Sequence, residues 1–295
     1  MNWELGQSFR NHAGPIYCVS QGRSDGEVLT GSSDGFIAAW DVSEMSASNF
    51  AVNVEKPVIS VLVDQDHNRL LAGTIAGEVH VINYQEKREE RLLAAHSLGV
   101  FAIAMIPEED WILTGGGKGI LNVWNRKNYE FVRSIPLHPT KIRCIERWGN
   151  ELWVGQSDGT IHVLDLPYFN TVHLLKAHES GAYTILKHPG KSIMLSSGGD
   201  GLVKAWNNES TEVLSVQAHT QAIYAMSNAG DSLVTVSRDK SFKTWDLNSF
   251  DHQMTIGKPG KGQHTHSIND LLYNEEMSRL VTVGDDRRIV FWNHE

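Results

Sequence analysis

One phrase returns seven times along this chain. A small or hydroxyl residue, a Gly, a turn built around Asp-Gly and a pair of alternating apolar residues run into Trp-Asp, Trp-Asn or an apolar stand-in. The phrase ends at Trp40, Ile82, Trp124, Leu164, Trp206, Trp245 and Trp292, at intervals of 39 to 47 residues. A regular period of this length signals one supersecondary unit stacked on copies of itself, each burying its apolar faces against its neighbours. The repeat overrides the length prior, which for 295 residues suggests about two domains. Residues 1–295 are expected to form a single domain.

Within each unit the pattern is that of strands. Leu29 to Trp40, Leu195 to Trp206 and Val234 to Trp245 each alternate apolar residues on both sides of a turn, the strand period of two. Asp34-Gly35 and Asp200-Gly201 supply the turn, because Gly tolerates positive φ and Asp can bond its own backbone. Upstream of the phrase stands a His with an apolar residue four positions later, in the pairs His12/Ile16, His96/Val100, His138/Ile142, His178/Ala182, His219/Ile223 and His264/Ile268. The apolar residue opens another strand. One more lies between phrases, as in Phe131–Ile135 and Glu212–Val216, which gives four strands per unit and an all-β chain.

In these phrases, with their upstream His, the chain resembles the WD40 repeat family over essentially its full length. The resemblance implies a seven-bladed β-propeller of four-stranded antiparallel blades, free-standing, with the segment before each His forming the outer strand of the preceding blade. Leu5–Arg10 precedes His12, and the sequence ends just after the Trp292 strand. The N-terminal strand is therefore expected to join the last blade and close the ring, removing open sheet edges. The family also implies a hydrogen-bonded set in each well-formed blade. By position these sets are His12, Thr30, Asp34 and Trp40; His178, Ser196, Asp200 and Trp206; His219, Thr235, Asp239 and Trp245; and His264, Thr282, Asp286 and Trp292. The chemistry is sound: indole N–H only donates, hydroxyl does both, neutral imidazole has one of each and carboxylate only accepts. Three units depart from the pattern. The second has Ala72, Ala76 and Ile82; the third has Lys118 in the Asp place; the fourth has Val154 and Leu164. Apolar packing is expected to hold blades 2 to 4, making them the softer side.

The same residue types invite a catalytic reading, which fails on context. Gly31–Gly35 and Gly155–Gly159 match G-x-S-x-G, but that string needs a strand-to-helix elbow and here lies in a strand-turn-strand. Gly115–Gly119 lacks the first Gly and the hydroxyl of a phosphate loop, and Asp64–Asn68 continues with Arg69 and Ile75 where a calcium loop needs Gly and Glu. With no HExxH pair or Cys/His cluster, the sequence offers no metal site, and neither a cofactor nor enzymatic activity is expected. Cys18 and Cys144 hold equivalent places in blades 1 and 4, too far apart to bridge, and are expected to be free, buried and inert in a reducing compartment. The net charge of −9 disfavours nonspecific attraction to nucleic acid or anionic lipid. With no apolar run near ~18 residues and no basic-then-apolar start, the expected location is cytoplasmic, without membrane association.

Function is expected at a surface. The residue five after each His is Tyr17, Phe101, Arg143, Tyr183, Tyr224 and Asn269, with Ile59 in the second unit by alignment. The resemblance implies that this register lies on the top face of the propeller, the face most used for partners, with Lys141, Arg238 and Asp285 beside it. Tyr and Arg are enriched in binding hot spots. The expected function is a non-enzymatic scaffold, monomeric by itself, binding a peptide or protein between aromatic walls (Tyr17, Phe101, Tyr183, Tyr224) with Arg143 as the anchor for an acidic group. Lys118 and Lys141 add local positive potential. The alternative is an aromatic cage for a methylated Lys or other cation. A ubiquitin-ligase receptor role is not supported, because family members in that role often carry Arg three after the Trp, and here Ser43, Lys127, Asn248 and Glu295 stand there.

Overall fold

The structure is a computed structural model that describes residues 3–257 and 262–294; Glu295 lies outside the described residues. Among the described residues the regular elements are strands and a 3-10 turn, Pro107–Glu109. The first strand, β1, is Trp3–Phe9. Blade 1 is β2 (Ile16–Gln21), β3 (Glu27–Ser32), β4 (Phe36–Asp41) and β5 (Ser46–Asn53). Blade 2 is β6 (Val58–Asp64), β7 (Arg69–Thr74), β8 (Glu78–Asn83) and β9 (Arg88–Ala94). Blade 3 is β10 (Val100–Ile106), β11 (Trp111–Gly116), β12 (Ile120–Asn125) and β13 (Phe131–Pro136). Blade 4 is β14 (Ile142–Trp148), β15 (Glu151–Gln156), β16 (Thr160–Asp165) and β17 (Thr171–Lys176). Blade 5 is β18 (Ala182–Lys187), β19 (Met194–Gly198), β20 (Leu202–Trp206) and β21 (Glu212–Gln217). Blade 6 is β22 (Ile223–Ala229), β23 (Ser232–Ser237), β24 (Phe242–Asp246) and β25 (His252–Ile256). Blade 7 adds β26 (Ile268–Asn274), β27 (Arg279–Gly284) and β28 (Ile289–His294).

Six sheets take their four strands in sequence order. The seventh runs β1-β28-β27-β26. The N-terminal strand thus completes the last blade, with Trp3 opposite His294, Leu5 opposite Trp292 and Phe9 opposite Ile289. Seven four-stranded antiparallel sheets, one per sequence period, give an all-β, seven-bladed β-propeller. The turn after each second strand needs one residue in the left-handed region. Gly35, Gly77, Gly119, Gly159 and Gly201 fill it in blades 1 to 5, and Lys240 and Arg287 fill it in blades 6 and 7. At Gly119 a Cβ would overlap the His138 carbonyl, so no side chain fits there.

Internal contacts divide the chain into two units. One is Met1–Ile75, Val79–Leu92 and Ala225–Glu295; the other is Ala76–Glu78 and Leu93–Tyr224. In the first, Leu29, Ile37, Val58, Leu70 and Ile82 form the core between blades 1 and 2. Trp40, Val281, Val283 and Phe291 fill the space between blades 7 and 1, and Trp3, Phe242, Ile268 and Trp292 that between blades 6 and 7. In the second unit, Leu113, Leu121, Val154 and Leu164 join blades 3 and 4, and Trp153, Ile161, Ala182 and Trp206 join blades 4 and 5. Ile82 and Leu164, which replace the repeat Trp, are fully buried, so apolar contact takes over where the polar set is missing. Among the described residues, no helix is long and apolar enough to cross a membrane.

The cysteines need one correction. Both are free, but only Cys18 is buried, whereas Cys144 is half-buried rather than buried. Equivalent strand places do not mean equal cover: Val58 of the next blade stands by Cys18, and the smaller Ala182 stands by Cys144. Burial pushes both thiols up, that of Cys144 to about 12, so neither supplies a reactive thiolate.

Candidate functional site

The polar sets are clasps between a loop and a sheet. In blade 1 the Trp40 indole donates to Thr30 Oγ1 at 2.9 Å, and His12 Nε2 lies 2.9 Å from the same hydroxyl. His12 Nδ1 reaches Asp34 Oδ2 at 3.0 Å, and Asp34 also accepts the backbone N–H groups of Ala13 and Phe36. With Asp34 ionised, the imidazole carries its proton on Nδ1 and Nε2 accepts from the hydroxyl. Blade 5 repeats the arrangement through His178, Ser196, Asp200 and Trp206, and blade 7 through His264, Thr282, Asp286 and Trp292. In blade 6 Trp245 donates to Thr235 at 3.0 Å, His219 is buried, and Asp239 accepts from the Ser241 N–H. Blade 3 keeps the His96–Thr114–Trp124 part, and burial without a carboxylate partner pushes the His96 imidazole down to about 4. Burial pushes the carboxyls of Asp34, Asp200 and Asp286 up, but their backbone N–H donors and imidazoles outweigh it and hold all three below the usual range. The two G-x-S-x-G strings sit at the β3–β4 and β15–β16 turns, where there is no helix for a nucleophile elbow.

The register five residues after each His has a backbone cause. In blade 1, Ile16 pairs with Ser32 and Cys18 with Gly31, so Tyr17 is an extra residue that faces no partner. The same two-against-one count isolates Ile59, Phe101, Arg143, Tyr183 and Asn269. Tyr224 holds the same second place in β22. Tyr17, Ile59, Phe101, Arg143, Tyr183 and Asn269 thus sit at β-bulges, a device that re-aims one side chain out of the ladder.

Within the second unit these side chains meet. Lys141 Nζ lies 5.0 Å from the centre of the Phe101 ring. The Arg143 guanidinium stands 5.6 Å from Phe101 and 4.8 Å from Tyr183. Tyr183 meets Tyr224 edge-on at 5.4 Å and 65°. The result is a continuous row: Lys141, Phe101, Arg143, Tyr183, Tyr224. Among the described residues neither cation makes a salt bridge or a side-chain hydrogen bond. Their N–H donors are unspent, and the rings orient them. The row also has a floor that sequence reasoning missed. Gly181 lies so close under Tyr183 that a Cβ would come within 2.6 Å of the ring, and Gly117 with the exposed Leu98 borders Phe101.

The other candidates belong to the first unit. Tyr17 and Arg238 are exposed. Asn269 has its amide donors committed to the Ile16 carbonyl at 2.9 Å and Asp285 at 2.8 Å.

Below Arg143 on β14, burial pushes the Glu146 carboxyl up to about 7, with Lys187 pulling it back. A carboxyl raised in the folded state adds stability below its unfolded value and loses it as pH rises through the folded one. Glu146→Gln is therefore expected to gain on wild type as pH rises from 4.5 to 8, by on the order of 2 kcal/mol after allowing for partial solvation. Melting curves of both proteins across that range check this, and a constant difference removes the burial penalty.

A family model described as "WD domain, G-beta repeat" matches residues 3–41, 87–125, 169–207, 210–246 and 257–293, well over half the chain. Six complete strands of blades 2 and 4 fall outside it, β6 to β8 around Ile82 and β14 to β16 around Val154, the phrases without hydroxyl and Trp. Human WD repeat-containing protein 55 is 23% identical over 230 residues, covering 76% of this chain and 60% of that protein. F-box/WD repeat-containing protein mec-15 of Caenorhabditis elegans is 26% identical over 202 residues, covering 66% of this chain and 48% of that protein. Human cilia- and flagella-associated protein 52 is 24% identical over 208 residues, 68% of this chain and 33% of that protein. The chain thus spans about half the length of these relatives.

Proposed function

The chain belongs to the WD40 repeat family, and on that premise we propose that it is a non-enzymatic scaffold that captures an acidic protein segment on the top face of its propeller. WD40 propellers are generally protein-interaction scaffolds, and the row on blades 3 to 6 gives this one its chemistry. The observation that carries the reading is the pair of unspent cations, Lys141 and Arg143, stacked on Phe101 and Tyr183 in a chain of net charge −9. A guanidinium held flat on aromatic rings presents a fork of donors that fits a carboxylate or another planar oxyanion. Phe101, Tyr183 and Tyr224 then bury the apolar part of the bound segment.

The row holds no nucleophile or acid–base pair, in keeping with binding rather than turnover. A methyl-lysine cage finds less support, because Arg143 itself stands over the two rings that such a cation would need.

Arg143→Gln combined with Tyr224→Ala is the test. Affinity enrichment with quantitative mass spectrometry is expected to show wild-type partners lost by about 30-fold or more, the scale of a central hot spot. Unchanged enrichment by a folded double variant would overturn the assignment.

A further inference from the structure

Blade 4 carries a second cluster, at the place where other blades keep their clasp. Val154, fully buried, replaces the hydroxyl, and Leu164 replaces the Trp. His138 has nothing to hold its Nε2 in the core, and its side chain is 59% exposed, against 3%, 0% and 1% for His12, His178 and His264. Its Nδ1 still reaches Asp158 Oδ2 at 2.7 Å, while Asp158 Oδ1 accepts from the Thr160 N–H and hydroxyl. On β16, opposite Val154, stands His162. It is 8% exposed, and neither ring nitrogen has a hydrogen-bond partner among the described residues.

The groups that face His162 are few. Val154 and Leu174 are its cross-strand neighbours, and Leu121 and Ile135 of blade 3 pack on the same interface. Asp158 and His138 are the charged or titratable groups that act on it electrostatically. Lys176, further along β17, is exposed, and Arg133 of β13 is committed to the Pro167 carbonyl and the Phe169 ring.

We propose that His138, Asp158 and His162 form an acid-released latch that frees residues 138–141, and with them the Lys141–Arg143 end of β14. Blades 1, 5 and 7 have one imidazole per carboxylate, and the carboxylate holds its Nδ1. Blade 4 has two imidazoles and one carboxylate. A proton on His162 puts a cation among apolar side chains with no acceptor of its own, beside a second imidazole that competes for Asp158. The segment above is tied to the same turn: Gln156 Nε2 donates to the His138 and Thr140 carbonyls at 2.7 and 2.9 Å, and Ser157 exchanges bonds with the Lys141 backbone at 2.8 and 3.1 Å. When His162 moves toward water, β16 shifts at Thr160–His162, and the Asp158 turn that holds Lys141 opens with it.

The consequence for partner capture rests on the reading given under Proposed function, but the latch itself is tested without a partner. Hydrogen–deuterium exchange of the whole chain at pH 7.5 and 5.5, corrected for intrinsic rates, is expected to show residues 138–165 losing about tenfold in protection at the lower pH, the scale of one unit of linked protonation. Residues 178–206 of blade 5 are expected to hold theirs. An equal response of the two blades would overturn the latch. His162→Leu is expected to abolish the difference. Should that variant fail to fold, the ring resonances of wild-type His162 decide: titration in step with the exchange change supports the latch, and titration with exchange unmoved refutes it. Intact exchange behaviour alongside lost enrichment by the Arg143/Tyr224 variant separates the two proposals.

Discussion

Removal of residues 1–11 is expected to cost the protein more than 5 kcal/mol, a large share of the ~5–15 kcal/mol that domains possess. The segment holds β1, the strand that completes blade 7. Trp3 is 6% exposed and packs with Phe242, Ile268 and Trp292, edge-on to Phe242 at 6.4 Å and to Tyr273 at 6.0 Å. Loss of a buried Trp alone costs ~3–5 kcal/mol, and the ladder from Trp3 to Phe9 goes with it. The truncation also bares the edge of β28, whose Ile289–Val290–Phe291–Trp292 run is fully apolar. Thermal unfolding with light scattering is expected to show a lowered transition coupled to aggregation. A truncated chain that melts like wild type would remove β1 from the fold's support.

Asp286→Ala is expected to destabilise by about 3–5 kcal/mol, because it strands buried donors rather than removing a surface charge. Asp286 is 6% exposed and accepts from His264 Nδ1 at 3.0 Å, the Thr265 N–H at 2.8 Å and the Arg288 N–H at 3.2 Å. Asp158→Ala in blade 4 is the matched control. Its imidazole partner is 59% exposed, so that ion pair is worth at most ~1 kcal/mol. Denaturant unfolding of both variants distinguishes them, and equal losses would show that the clasps of blades 4 and 7 do the same work. The sign with pH follows from the depressed Asp286 carboxyl. Its contribution is present above the ordinary carboxylate range and disappears as pH falls through the lower folded value.

The sequence announces the blades because the repeat is a physical necessity: each unit must hide its faces against a copy of itself. Strand limits follow to within a residue, as with Phe131–Pro136 against an expected end at Ile135 and Glu212–Gln217 against Val216. The shared register of the candidate residues follows from counting from each His. The bulge beneath it does not, because an unpaired residue is a relation between two strands, and alternation along one strand does not encode it. Nor could the pattern say that Arg143 lies between Phe101 and Tyr183, since three sheets supply those groups. His162 was silent for a similar reason. Lys204 and Lys243 occupy its place in blades 5 and 6, whereas Asn122 and Val290 are buried there in blades 3 and 7, so the repeat pattern does not single His162 out.

A residue that faces no ladder partner carries none of its sheet's ladder bonds. At the second position of each blade's first strand, the neighbouring bonds are already made by the residues on either side, as Ile142 with Gln156 and Cys144 with Gly155 do around Arg143. Ile59 and Tyr17 can therefore differ as widely as they do without disturbing their sheets. Side chains at these positions can thus be exchanged one substitution at a time while the ladder bonds on either side stay in place.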